Sequence, residues 1–321
     1  MAGQAPNNFS DWGPHAETAE GTFWPLARRM IMSLRNSAKL KHPYWRLREK
    51  FDIPTKSDLE VIYRLQRELR LAPDSQHKKF RFCWGDFRYV NLGNLYSQFE
   101  DIFIRRQYAF SSDNSEPVII DCGGNVGLSA IWFKINYPRC HLTVYEADPD
   151  LAAILETNLK NAGLYDVQLR NEAVWIFNGM VAFLKTGDDS GRVIENSSIL
   201  YPCIDLVERL PACVDLLKMD IEGAEFPILT KLCETGAIKR IRRLVCEFHI
   251  WQDKIDEFVK TLGLLRANKM QFAMNAAAGP HLGLAAEESP FEVIKRKQVL
   301  LELFAWHSTK ENAPACKHES E

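Results

Sequence analysis

The chain has 321 residues, with 40 Lys and Arg against 42 Asp and Glu for a formal charge of -2, and 46% of it is hydrophobic. That balance excludes a basic nucleic-acid-binding protein, a disordered chain and a collagen-like fibre, and the length allows one large domain or two smaller ones. No apolar run reaches the roughly 18 residues that span a bilayer, because 299–306 is broken by Glu302, and the polar stretch 1–11 lacks the apolar centre of a secretion signal.

Residues 1–22 are rich in Asn, Gly, Pro and Ala without periodicity and read as a flexible tail. From 23 to 50 the chain is basic, with Arg28, Arg29, Arg35, Lys39 and Lys41 interleaved with Trp24, Met30, Ile31, Leu34 and Trp45. An amphipathic helix packed by its aromatic side is preferred there over an arm for an anionic surface, since the total charge is balanced. Ser57 and Glu60 have capping-box spacing, and Leu59, Ile62, Leu65 and Leu69 share a face, which predicts a helix over 58–71. Short strands follow within 80–90, then a helix over 95–107. Residues 23–115 thus form a mainly helical cap that shapes a substrate site or joins subunits into a homo-oligomer.

After Pro117 strands and helices alternate at the spacing of a wound parallel sheet. Strands are expected at 118–121, 142–146, 167–173, 214–219 and 244–248, with helices at 128–135, 150–161 and from Ala224. Asn178-Gly179 predicts a hairpin joining 174–176 to 181–183. Two strand-like runs, 271–274 and 299–306, close a catalytic domain over 116–308, before a second flexible tail at 309–321. The eight cysteines include no Cys-x-x-Cys pair and fall mostly in apolar runs, so reduced, buried thiols in the cytoplasm are expected.

The turn Asp121-Cys122-Gly123-Gly124-Asn125-Val126-Gly127 lies between a strand and a helix, where a nucleotide can approach the backbone and meet helix N–H groups. Small residues suit it because a Cβ would collide with a ligand or strain the turn. Nineteen residues after Gly127, at the end of the next strand, Glu146 can accept hydrogen bonds from both ribose hydroxyls. The glycine spacing is not the Gly-x-Gly-x-x-Gly of dinucleotide enzymes, which disfavours a nicotinamide oxidoreductase. A mononucleoside without phosphates fits better, and S-adenosyl-L-methionine meets that description.

The blocks VIIDCGGNVGLSAIWFK (118–134), VYEADP (144–149) and DLLKMDIEGAE (215–225) together resemble the FkbM family of S-adenosylmethionine-dependent methyltransferases. The resemblance covers 99–306 in organisation. It implies a Rossmann-like class I methyltransferase sheet, α/β with seven strands and the last one antiparallel, and O-methylation of a small-molecule or sugar hydroxyl. The family usually has Ala at the position of Gly124, a departure expected to be harmless. By the same analogy Asp121, Gly123, Gly124, Asn125 and Gly127 surround the methionine part of the cofactor and Glu146 its ribose. Ala147, Glu172 and Ala173 would make the adenine pocket. These positions agree with the rule that open α/β sheets bind ligands at the carboxyl ends of their strands.

Asp220 and Glu222 leave the fourth strand at the same rim, and Glu247 and His249 share one side of the fifth. An aliphatic hydroxyl must lose its proton as it attacks, so a base is useful beside the in-line geometry. His249 is the first candidate and Asp220 or Glu222 the second. Glu225 is expected to serve only the first turn of its helix. A divalent ion held by Asp220, Glu222, Glu247 and His249 is weighed and set aside, since the spacing forms no recognised ligand motif. N-methylation and a catalytically silent cofactor-binding scaffold are the rivals. A nucleic-acid base as acceptor is disfavoured by the charge and by the absence of an Asn/Asp-Pro-Pro-aromatic run.

Overall fold

The computed structural model describes residues 56–71, 78–184, 192–193, 198–276 and 299–307. The expected tails, the basic segment 23–50 and most of the loop between the last two strands lie outside these residues. Residues 62–321 make up one compact unit, and the unit before it, 1–61, is described only over 56–61.

Helix α1, Lys56–Leu71, matches the amphipathic reading. Strands β1 (Lys79–Phe82) and β2 (Gly85–Arg88) pair as an antiparallel hairpin. Helix α2 spans Leu92–Phe99 and continues as one π-helical turn, Glu100–Ile104, so the helix expected at 95–107 begins earlier and changes its winding. Asn91 accounts for the earlier start, its side chain accepting the N–H of Asn94 at 3.0 Å. The wider turn carries Phe99 and Phe103 in parallel, 4.6 Å apart.

The main elements then follow as β3 (Val118–Cys122), α3 (Leu128–Asn136), β4 (His141–Tyr145), α4 (Pro149–Asn161), β5 (Val167–Arg170), β6 (Ala173–Trp175), β7 (Gly179–Leu184), β8 (Arg192–Val193), β9 (Leu200–Asp205), α5 (Leu206–Arg209), β10 (Leu216–Met219), α6 (Glu225–Glu234), β11 (Arg243–Ile250), α7 (Ile255–Ala267), β12 (Met270–Ala276) and β13 (Val299–His307). Seven of these strands form one sheet in the order β12-β13-β11-β10-β3-β4-β5. Only β13 runs against its neighbours. This is the class I methyltransferase arrangement, with the order reversing between β3 and β10. Central strands β3 and β10 are buried nearly throughout, as continuous apolar runs in a covered parallel sheet require. The hairpin β1–β2 is fixed to α4, where Asn158 exchanges hydrogen bonds with the Arg88 backbone and Asn161 donates to Asp86 O.

Several expected boundaries move. The strand 167–173 divides at Asn171, whose side-chain amide donates to the carbonyls of Glu146 and Ala147, and Ala173 then begins a separate sheet. The Asn178-Gly179 hairpin does not form. Strand β9 lies between β6 and β7, parallel to one and antiparallel to the other. The Asn178 side chain accepts the N–H of Asp205 and donates to Glu208, so it ties the turn to β9 instead of closing a two-residue loop. The strand at 214–219 shortens to begin at Leu216, while Asp215 accepts from Val118 N–H and pairs with Arg242. Thiol chemistry also departs from expectation. Cys83 is exposed and Cys213 is disulfide-bonded, whereas Cys122, Cys140, Cys203, Cys233 and Cys246 are buried and free.

Candidate functional site

A cleft of about 660 Å³, counting its open mouth, lies at the carboxyl ends of β3, β4 and β10. Gly123, Asn125, Glu146, Ala147, Glu172, Ala173 and Asp220 line it, together with Tyr145, Asp148, Leu151, Val174, Phe183 and Glu222. Asp121, Gly124 and Gly127 do not.

The glycines serve approaches between protein segments. A Cβ on Gly123 would stand 1.9 Å from Asp220 O, and one on Gly124 would meet Val144 Cγ1 at 2.3 Å and Leu155 Cδ1 at 2.8 Å. Gly127, with φ of 95°, faces the Leu155 side chain at 3.0 Å in the same test. The N–H groups of the turn are also committed. Gly123 and Gly124 donate to Tyr145 O, Asn125 to Glu146 Oε2, Val126 to Asn125 Oδ1, and Gly127 to Gly124 O. A pyrophosphate would find its usual backbone donors already used in this turn, so the geometry suits a ligand without phosphates.

Asp121 is fully buried behind the turn, accepting from Ser129 Oγ at 2.6 Å and paired with Lys218 Nζ at 3.1 Å. Burial pushes its carboxyl up, against the pull of Lys218 and Ser129. Burial lowers the Lys218 pKa, but Asp121, Tyr108 and Asp220 together outweigh it and raise it. Lys218 also donates to Gly123 O at 2.6 Å, so this ammonium pins the glycine turn from beneath. Sequence reasoning passed over Lys218; a lysine between Leu217 and Met219 in a fully buried strand was the available signal.

Glu146 shows 7% of its surface, and its two oxygens accept the N–H groups of Asn125 and Asp148 at 2.7 and 2.9 Å. Burial lifts its carboxyl to about 7, although both N–H donors work in the other direction. Beyond it the wall turns apolar, through Ala147, Leu151, Ala173, Val174 and the Phe183 ring, which packs 4.7 Å from Tyr201. Glu172 stands on the same wall. A flat, weakly polar ring is the chemistry that such a wall accepts.

At the other end Asp220, Ile221, Glu222 and Ala224 line the cleft, with Glu222 held at φ 56°. Behind them His249 is 2% exposed and does not reach the lining. Its Nδ1 lies 3.1 Å from Glu225 Oε1, and its Nε2 lies 3.2 Å from Glu222, 3.8 Å from Glu247 and 4.0 Å from Asp220. Burial opposes charge on the ring, but the Glu225 bond and the carboxylates of Glu225, Glu222 and Asp220 raise its pKa to about 10. Glu247 is lifted to about 8 by burial and by Asp220, with Glu302 opposite it on β13 adding to the effect. Glu225 is fully buried and also accepts the N–H of Ile221 at 3.1 Å, so it does more than complement its helix. Among the described residues, Asp220, Glu222 and His249 offer atoms within 4.8 Å of one another and have the donor types for a divalent cation.

Residues 121–272 match the family model described as the methyltransferase FkbM domain. Among curated proteins, the AMB antimetabolite synthetase AmbE of Pseudomonas aeruginosa is 26% identical over 212 residues, covering 51% of this chain and 10% of that protein. Methyltransferase sdnD of Sordaria araneosa is 30% identical over 73 residues, covering 22% of this chain and 28% of its own. The chain therefore spans less than a third of the length of either relative. A solved structure of the methyltransferase FkbM from Methylobacillus flagellatus aligns with 78% of this chain and 56% of its own, at 13% identity and a TM-score of 0.42. The glycine turn, the Glu146 strand end and the Asp220–Glu225 loop all lie inside the residues, 121–272, that match the FkbM methyltransferase domain.

Proposed function

We propose that the protein is an S-adenosylmethionine-dependent O-methyltransferase acting on a hydroxyl of a small molecule or sugar. The observation that carries the reading is the cleft's division. Glu146 and an apolar wall with Phe183 occupy one end, Asp220 and Glu222 the other, and the turn between offers no spare N–H donors. Glu146 would hold the ribose hydroxyls, Ala147, Glu172, Ala173 and Phe183 the adenine, and Gly123, Asn125 and Asp220 the methionine part. Bound there, the cofactor supplies a methyl group on a sulfonium, whose positive charge suits the carboxylate end. Asp121, Gly124 and Gly127 support the cofactor from behind by fixing the turn.

Asp220 is the proton acceptor we favour, followed by Glu222. Their side chains are 37% and 24% exposed and line the cleft, whereas His249 is recessed with both ring nitrogens engaged by carboxylates. Catalysis without a metal ion is part of the proposal. In-line placement of the acceptor supplies most of the acceleration, and the carboxylate removes the hydroxyl proton as it attacks. In this reading 116–308 is the catalytic domain and 23–115 a cap that shapes the acceptor pocket or joins two copies, flanked by tails at 1–22 and 309–321. Cytoplasmic location is part of the proposal; among the described residues no helix is long and apolar enough to cross a membrane.

The test is a screen with methyl-labelled S-adenosylmethionine against glycosides, hydroxylated metabolites and their amine counterparts, with product masses located by fragmentation. Label on oxygen, lost in Asp220→Asn, is expected. Label on nitrogen alone would favour N-methylation, and cofactor binding without transfer to any class would favour a silent scaffold.

A further inference from the structure

We infer that Glu225 is a positioning residue, which fixes His249 as a charged clamp between the strand β11 and the Asp220–Glu222 loop. The inference deepens the methyl-transfer reading and rests on it for its catalytic meaning. Glu225 Oε1 is shared by two groups, the Ile221 N–H in that loop and His249 Nδ1, each at 3.1 Å. With Nδ1 committed, Nε2 can face only the other side of the ring, where Glu222 Oε2 stands at 3.2 Å. Asp220 and Glu247 lie at 3.7–4.0 Å from neighbouring cations in the same cluster, Asp220 against both Lys218 and His249.

The arrangement is a relay of position. Helix α6 presents Glu225, Glu225 orients the imidazole, and the imidazole holds Glu222, whose backbone occupies the left-handed region that a non-glycine residue adopts only when its surroundings impose it. A carboxylate bonded to one ring nitrogen sets the tautomer or charge of the other. The titratable groups facing His249 are Glu225 from α6, Asp220 and Glu222 from the loop, and Glu247 from its own strand, whose carboxyl is pushed toward the protonated form by burial and by Asp220. The ring is the cation between the Glu225, Glu222 and Asp220 carboxylates, around which the acceptor end of the cleft is organised. Glu225 itself shows none of its surface and does not line the cleft, which leaves it a positioning role and no contact with substrate.

The test uses the full chain with 15N-labelled histidine, His249 being assigned by its loss in His249→Asn. In the unaltered protein the two ring nitrogens should both carry protons at neutral pH. Glu225→Gln keeps the size and one acceptor oxygen but removes the charge, and His249 should then titrate at least about two pH units lower. Calorimetric affinity for S-adenosylhomocysteine should change by less than about threefold, because Glu225 is outside the cofactor lining. A neutral His249 ring in the unaltered protein overturns the inference, as does an unchanged titration in Glu225→Gln. If that variant does not fold, the unaltered protein's spectra decide alone, with Glu222→Gln expected to disturb Nε2 and leave Nδ1 in place. Failure of S-adenosylhomocysteine to bind either protein would sink the methyl-transfer reading while leaving the histidine result intact.

Discussion

Glu146→Gln separates the shape of the ribose site from its charge. The carboxylate accepts two backbone N–H groups at 2.7 and 2.9 Å while still facing the cleft. Gln keeps the outline but sets an NH2 group against one of those donors and removes the charge. A hydrogen bond to a charged group contributes about 1.5–3 kcal/mol, so S-adenosylhomocysteine should bind the variant about 10- to 150-fold more weakly at about pH 8. Burial places the ligand-free carboxyl at about 7, and ribose hydroxyls, which donate to the ionised form, lower that value in the complex. Affinity of the unaltered protein must therefore fall as pH drops through about 7. At about pH 6 only about one carboxyl in eleven is ionised, a cost of about 1.4 kcal/mol that Gln, having no proton to lose, does not share. The gap between the two proteins should narrow by that amount. Folding of the ligand-free protein has its own sign: stability from protonated Glu146 is complete below its ordinary value of 4.5 and is lost as pH rises through about 7. Titration calorimetry at both pH values, in two buffers of different ionisation enthalpy, reads the affinities and the proton released together. An equal gap at both pH values, or none at about pH 8, refutes the assignment.

Gly124→Ala should destabilise the fold by about 1–3 kcal/mol, because its new carbon meets Val144 and Leu155 at 2.3 and 2.8 Å; an unchanged melting temperature would show that α4 yields without cost. Lys218→Met leaves the buried Asp121 without its cation and should cost about 3–5 kcal/mol in urea unfolding, with Asp121→Asn added to it recovering part of the loss. If Lys218→Met alone is neutral, the pair does not pin the turn. Chelator treatment should leave methyl transfer intact, and inactivation reversed by magnesium would assign the Asp220–Glu222–His249 cluster to a metal.

The wound sheet was legible because its signals are local: β3, the glycine turn and α3 are adjacent in sequence, and Glu146 stands at a fixed distance beyond them. What escaped prediction depends on partners far along the chain. Asn178-Gly179 has hairpin chemistry, yet β9 supplies the better partner for both flanking strands, through Asn178 itself. Gly124 looked like a harmless departure from Ala because a turn does not disclose that Leu155, a helix away, packs against it. The carboxylate partner of His249 escaped as well, because alternation along β11 shows which side the ring faces but not that Glu225 stands there on α6. Lys218 teaches the same limit for charge, its state set by Asp121 on a neighbouring strand.

The approach of Gly123 to Asp220 O leaves no room for a side chain, and Lys218 bridges beneath it to the Gly123 carbonyl and the Asp220 carboxylate. The two ends of the cleft are therefore not two movable jaws but one casting. An engineer who shifts the Asp220 loop to suit a different acceptor will move the glycine turn, the seat proposed for the cofactor, as well.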